Sequence, residues 1–276
     1  MTPPRISIIT PVLNAGTDLE RALASVAAQR RDDVEVVCVD DGSTDPATIA
    51  ALDAAAKRPG VTVHRTPNLG PSAARNFAIE HARGIYVLPL DADDWLAPDY
   101  LAKTVPVLDA EPDVGIVHTW IGLVGGHHGV WRTGRFALPE LLVRCTIHVT
   151  ALYRRALWVD VGGYDPAFVE TAEDWDFWLR AVSRGWAARE VPEVLAYYQR
   201  SVTSRERKAR QPDVSGRGMR RIVTKHRALY EQHLEAALVG MYEHLAATSL
   251  TLERFYGNPA VRTALRVRDW LRPRTP

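Results

Sequence analysis

Between residues 5 and 120 short apolar runs alternate with amphipathic stretches, and this alternation restricts the chain to very few architectures. ISIIT, VEVVCV, VTVHR, IYVLPL and VGIVHTW read as strands. Between the first two lies TDLERALASVAAQ, with Leu19, Ala22, Leu23 and Val26 on one helical face and Thr17 and Glu20 spaced as a capping box. A second helix is expected from about Pro46 to Lys57. A third opens at Pro71, where a missing N–H costs nothing, and ends at Gly84. Strands that alternate with helices build a parallel sheet covered on both faces. The expected class is therefore α/β and Rossmann-like, a mostly parallel central sheet flanked by helices.

In such sheets ligands bind beyond the C-terminal ends of the strands. The polar clusters of this chain fall there: Asn14 after the first strand, Asp40 and Asp41 after the second, and Asp91 to Asp94 after the fourth. The stretch LPLDADDW places three carboxylates within four positions at the end of a buried strand. Carboxylates so close repel one another unless a cation lies between them, and an Asp-x-Asp pair suits Mg²⁺ or Mn²⁺ shared with substrate phosphates. A solvated turn with Asp94 capping the next helix would give the same pattern.

After about residue 125 the alternation breaks. GVWRTGRFAL reads as an edge strand, IHVTALYRR as another strand, EDWDFWLRAVSRGW as an amphipathic helix and EVLAYYQR as the last strand. The helix start carries Glu170, Glu173, Asp174 and Asp176. One of them could serve as a general base, or all could complement the helix dipole. His118, His127 and His128 lack a third matched ligand and read as solvent-facing. From about Arg205 the chain is helical, and residues 200 to 227 hold ten Lys or Arg against two acidic residues. That run is either a solvated surface or a contact for anionic lipid.

Composition narrows the function. A net charge of +1 over 276 residues is not that of a nucleic-acid-binding polycation. No apolar run approaches the roughly 18 residues of a membrane span. Cys38 lies in a core strand and Cys145 stands apart, so no disulfide framework is expected and a reducing cytoplasm is the simplest setting. The first strand end, TPVLN, lacks the glycine-rich loop of dinucleotide-binding oxidoreductases.

Taken in order, SIITPVLN, VVCVDDGSTD, NLGPSAARNFAIEHARGIYVLPLDADDW and ETAEDWDFWLRAVSRG resemble the family 2 glycosyltransferases of the A-type (GT-A) nucleotide-sugar fold. The match covers about residues 5–200. It implies a catalytic domain over 1–204, divided into a nucleotide-sugar-binding half (1–120) and an acceptor-binding half (121–204), and a helical C-terminal extension over 205–276. By the resemblance Pro11 and Leu13 line the base pocket with Asp41, and Asn14 and Asp40 lie beside them. Arg75 reaches the nucleotide, Asp91 and Ala92 the donor, and Asp93 with Asp91 the metal. Asp174 is the implied catalytic base, and YYQRSVTSR matches a segment that often closes over the donor. Trp120, His148, Glu173 and Trp175 are candidate acceptor contacts, and Trp131 could also stack on a sugar.

The resemblance implies an inverting, metal-dependent transfer from a nucleotide-sugar donor, UDP-sugar favoured, to a glycan, lipid-linked or small-molecule acceptor. Cell-surface polysaccharide, glycolipid or glycosylated-metabolite synthesis is the implied setting, in the cytoplasm and with the basic segment available to the inner face of the membrane. Leu13 stands where the family commonly has an aromatic residue against the base. The Gln-x-x-Arg-Trp pattern of processive synthases is absent, which favours transfer of a single sugar. Two other classes compete: a non-catalytic nucleotide-sugar- or glycan-binding module, and a sugar-nucleotide pyrophosphorylase-like enzyme.

Overall fold

Ile6–Val12 (β1) is apolar on both faces and buried along nearly its whole length, a pattern satisfied by a strand with helices on both sides. The computed structural model describes residues 4–126, 128–169, 171–200, 212–259 and 261–263. In it β1 pairs in parallel with Val34–Asp40 (β2) and with Tyr86–Pro89 (β4), and Val61–Arg65 (β3) extends the sheet beyond β2. Asp18–Ala27 (α1), Pro46–Ala55 (α2) and Pro71–His81 (α3) form the crossovers. The first half is thus parallel as expected, and β1, β2 and β4 end on one edge.

Two local expectations fail for physical reasons. Thr17 does not cap α1 through its side chain: its backbone is already helical, and Asp18 N–H donates instead to the Ala15 carbonyl at 3.2 Å. Glu20 is drawn away to Arg58. Gly84 does not terminate α3, whose last turn runs out at Ala82 in extended geometry. A Cβ on Gly84 would lie 2.6 Å from the Ser7 nitrogen, so glycine is needed there for close approach to β1.

The second half is assembled differently. Trp95–Leu96 (β5) and Tyr100–Ala110 (α4) are followed by Val114–Gly125 (β6), Gly129–Trp131 (β7), Leu138–Leu141 (α5), Leu152–Arg154 (β8), Arg155–Val161 (α6), Glu173–Ser183 (α7) and Ala187–Arg200 (β9). The nine-stranded sheet runs β3-β2-β1-β4-β8-β6-β9-β5, with β7 paired to β6. β8 inserts antiparallel between β4 and β6, while β6 and β9 run parallel over a long, bulged ladder. β6 and β9 extend well beyond the stretches legible in sequence. His118, expected to face solvent, is buried on β6 with its Nδ1 2.9 Å from the Thr133 hydroxyl, and burial lowers its pKa to about 4.

The chain divides into two compact units, residues 1–227 and 228–276. Pro212–Lys225 (α8) belongs to the first. Ile222 is fully buried, and Gly218 lies so close to Thr171 that a Cβ would come within 2.6 Å of its methyl group. Arg221 donates to the Ala167 carbonyl and Lys225 to Asp165. Arg227–Gln232 (α9), from Ala228 onward, and Leu234–Gly257 (α10) lie in the second unit. His127, Glu170, the boundary expected at 204/205 and the Ser201–Arg205 part of the expected closing segment lie outside the described residues.

Candidate active site

The ends of β1 and β2 are tied together by short polar side chains. Asn14 takes a left-handed conformation (φ 51°), and its Oδ1 accepts from the Thr44 and Asp45 backbone N–H groups at 2.9 Å each. Asp40 accepts from Ser43 N–H at 2.9 Å. Asp41 is almost wholly buried and accepts from the Thr66 hydroxyl at 2.8 Å and from the N–H groups of Leu69 and Gly70 at 2.6 and 2.8 Å. These three side chains therefore shape the loops around the strand ends. Pro11 is half-buried in β1 opposite Val39, whereas Leu13 stands 48% exposed at the rim.

Beyond β4 the turn Asp91–Asp94 is a concentration of acid. Ala92 is buried within it. Burial, with the charge of Asp91, raises the Asp93 pKa to about 6. Asp94 is 1% exposed; its Oδ1 accepts from Gln199 N–H at 3.0 Å, while its Oδ2 is buried with no partner among the described residues. Burial and the two neighbouring carboxylates push its pKa well above the usual range. Such a cluster is held ready for positive charge.

Part of that charge comes from Arg75. Its guanidinium is 2% exposed, donating to Asp91 at 2.8 Å through one nitrogen and to Glu173 at 3.1 Å through another, with the Tyr164 ring 5.7 Å away. Burial works against the charge, but Asp91 and Glu173 outweigh it and hold the pKa above the ordinary arginine value. Arg75, expected at the nucleotide, thus bridges the acidic turn and the start of α7.

α7 is entered through Ala172 in a left-handed conformation (φ 69°). Non-glycine residues persist there only when the surroundings enforce it, and such strain concentrates at functional sites. The next two residues are Glu173 and Asp174. Asp174 is half-buried; its Oδ1 accepts from Trp175 N–H at 2.8 Å and the Cys145 thiol stands 3.9 Å from its Oδ2. Burial first, and then the Glu173 charge, raise its pKa above the usual carboxylate range, while Arg75 pulls the other way.

The remaining candidates separate. Trp120 donates its indole N–H to Glu190 at 2.8 Å and carries Arg132 on its ring at 5.2 Å. Trp175 donates to the Leu141 carbonyl at 2.6 Å, a contact that holds α5 against α7. His148 accepts from Thr150 N–H at 3.2 Å and lies in a ring cluster with Trp131 and Tyr198.

Sequence reasoning missed a second assembly. Arg21 donates to the Asp93 carbonyl at 2.8 Å and lies 4.2 Å over the Trp95 ring, which stacks on Tyr197 at 5.3 Å. Only the sequence adjacency of Trp95 to the acidic turn could have hinted at it. Lys225 and His226, which reach Asp176 across 49 and 50 positions, gave no local signal.

A family model described as glycosyl transferase family 2 matches residues 7–160. The chain is 33% identical over 202 residues to a PGL/p-HBAD biosynthesis glycosyltransferase of Mycobacterium tuberculosis, covering 72% of this chain and 78% of that one. Two other curated relatives are matched over only 20% and 42% of their own lengths. Among solved structures, Staphylococcus aureus TarS 1–349 in complex with UDP-GlcNAc superposes with a TM-score of 0.66 at 22% identity, over 80% of this chain and 66% of that one. Mannosyltransferase PcManGT from Pyrobaculum calidifontis, in complex with GDP-Man and Mn²⁺, gives 0.60 at 23% identity, over 98% and 86%. At these identities the structural likeness speaks for the fold.

Proposed function

The chain belongs to the family 2 glycosyltransferases, and from that premise we propose that it moves one sugar from a nucleotide-sugar donor, UDP-sugar favoured, to an acceptor hydroxyl with inversion. The observation that carries this reading is the Arg75 bridge. One buried guanidinium joins Asp91 of the acidic turn to Glu173 beside Asp174, so a donor site and a base are held in fixed relation.

The residues present suit a divalent cation, Mg²⁺ or Mn²⁺. Asp91 and Asp93 share one turn, and burial together with the Asp91 charge raises the Asp93 pKa to about 6. No group of three His, Cys, Asp or Glu side chains forms a ready metal cage among the described residues. Two carboxylates completed by diphosphate oxygens are the arrangement expected of a cation that arrives with its substrate. Asp93 and Asp91 would hold it, and it would supply charge neutralisation for the departing nucleoside diphosphate.

Asp174 accepts the proton of the acceptor hydroxyl as that oxygen bonds to the anomeric carbon. The bond from that carbon to the diphosphate oxygen breaks on the opposite face, and its electron pair leaves with the nucleoside diphosphate. A raised proton affinity makes this carboxylate a stronger proton acceptor than an ordinary aspartate. Leu13 and Pro11 border the base, and Asp41 acts by fixing the loop that reaches Gly70.

The acceptor belongs to cell-surface polysaccharide, glycolipid or metabolite glycosylation at the cytoplasmic side of the membrane. Among the described residues no helix is long and apolar enough to cross a membrane. On α8 Lys225 and Arg221 are turned toward Asp165, Asp176 and the Ala167 carbonyl. Any lipid contact in the basic segment therefore falls to its other Lys and Arg residues.

The decisive experiment is nucleotide release from UDP-, dTDP- and GDP-sugars with Mn²⁺ or Mg²⁺, then with EDTA. Hydrolysis of one donor, abolished by EDTA, is expected. Turnover that persists in EDTA would remove the metal, and absence of both binding and turnover would remove the transferase reading.

A further inference from the structure

The 24 residues from Leu234 to Gly257 form one helix, α10, about 36 Å long at the rise of an α-helix. A helix of a globular protein turns its large apolar side chains toward a core. On α10 they stand exposed. Leu234, Leu238, Met241, Leu245, Leu252 and Phe255 each keep between 40% and 64% of their surface accessible. Exposed apolar side chains scattered singly need no explanation, but a concentration on one helix marks an interaction surface.

Their spacing says what kind of surface it is. With Thr248 in the one remaining place, steps of four and three residues alternate unbroken from 234 to 255. This is a heptad repeat whose a and d positions share a narrow seam along the helix. A period of 3.5 residues is met by a second helix wound about the first in a left-handed supercoil. Thr248, the polar member, donates its hydroxyl to the His244 carbonyl of its own helix at 2.8 Å. It therefore carries no unsatisfied donor into a packed seam.

Charge narrows the occupant. α10 carries Glu235, Glu243 and Glu253 against Arg254 alone, whereas a helix that lies on anionic lipid needs the opposite balance. The positions flanking the seam are uncharged apart from Glu235 and His244. Neither a charge pattern that selects a foreign helix nor one that repels an identical helix is built in. Two such seams enclose on the order of 1,000 Å² in total, the size at which a specific interface holds. We propose that α10 pairs with α10 of a second copy of this chain, the a and d side chains interlocking about a two-fold axis. The pairing is independent of the transferase reading, because no residue of the candidate active site lies on α10.

The test is sedimentation velocity of the full-length protein over about 1 to 100 µM, with circular dichroism to check helix content. The native chain is expected at twice its single-chain mass. Leu245→Glu sets a carboxylate in the middle of the seam and should raise the dimer Kd about 100-fold or more. Glutamate is a good helix former, so the helix itself should persist. Leu250→Glu is the control: Leu250 is 53% exposed but occupies the f position, on the side of the helix away from a and d. Its dimer Kd should stay within about threefold of native. A native chain of single mass at every concentration overturns the pairing. So does a dimer that Leu245→Glu leaves intact, or one that both substitutions weaken equally, since the heptad would then not be the contact. A monomer that pellets with phosphatidylcholine–phosphatidylglycerol vesicles, and fails to do so as Leu245→Glu, would give the face to lipid instead.

Discussion

Asp174 and Asp176 stand two positions apart at the start of one helix, yet their surroundings are opposite. Asp174 has Glu173 beside it, the Cys145 thiol at 3.9 Å and, among the described residues, no cation within hydrogen-bonding reach, so burial and its acidic neighbour raise its proton affinity. Asp176 is fully buried, and burial alone would do the same. It accepts from Arg180 Nε–H at 2.9 Å, from Lys225 at 2.9 Å and from His226 at 2.8 Å, and these partners reverse the shift and hold its pKa below the usual range. The difference teaches that cation supply separates a proton acceptor from a structural anchor on the same helical turn. Asp176 fastens α8 to α7, and Asp174 is left able to exchange a proton.

The largest expected effect comes from neutralising each carboxylate in turn. Asp174→Asn should lower transfer by about 10² to 10⁴-fold and leave donor binding and the urea midpoint nearly native. Asp176→Asn should instead take the shared carboxylate from Arg180, Lys225 and the His226 ring and cost about 3 kcal/mol of stability, read by urea unfolding, with transfer per folded molecule largely retained. A stable but inactive Asp176→Asn would break the contrast.

Truncation sharpens it next. A chain ending at residue 204 loses Lys225 and His226 and leaves Asp176 buried with Arg180 alone, so it should unfold at clearly lower urea. A chain ending at Arg227 keeps the whole first unit and should stay near native in stability and transfer. Equal midpoints for the two would mean that α8 contributes little.

Arg75→Lys probes the bridge from Asp91 to Glu173, the neighbour of Asp174. A lysine cannot span Asp91 and Glu173 with a planar fork, so transfer should fall about 10 to 100-fold, with a smaller effect on UDP binding by calorimetry. Wild-type turnover in Arg75→Lys would show that a point charge suffices.

The smallest effect is a displacement along the pH axis. A base must be ionised, and the Asp174 pKa is raised, so kcat/KM should fall on acidification while the fold is still intact. Asp176 works in the opposite sense: with a lowered folded-state pKa its stabilisation is complete above its unfolded value of about 4 and is lost as pH falls through the folded one. Activity should therefore be lost at higher pH than stability. Glu173→Gln removes the charge that raises the Asp174 pKa and should move the acid limb to lower pH. A limb unmoved by that substitution would place the titration elsewhere.

Much of the donor half was legible in the sequence because its order is local. The apolar runs of β1, β2 and β4 are buried on both faces, helical periodicity placed α1 and α3, and polar residues at strand ends marked the site. Where local signals competed with packing they misled. Thr17 had the spacing of a cap without its geometry, and Gly84 read as a helix stop when its lack of a side chain serves contact with Ser7. The second half was harder, since β8 contributes three residues wedged antiparallel between β4 and β6, and no periodicity in so short a strand reveals its neighbours.

By itself the sequence determined the parallel sheet, the edge that carries the candidate site, the acidic turn and the family, all recorded in local period and short motifs. Only the tertiary structure decided how the carboxylates near residue 174 differ in proton affinity. Proton affinity depends on charges within a few ångströms, and here those come from far along the chain: Arg75 reaches Glu173 across 98 positions, and His226 reaches Asp176 across 50.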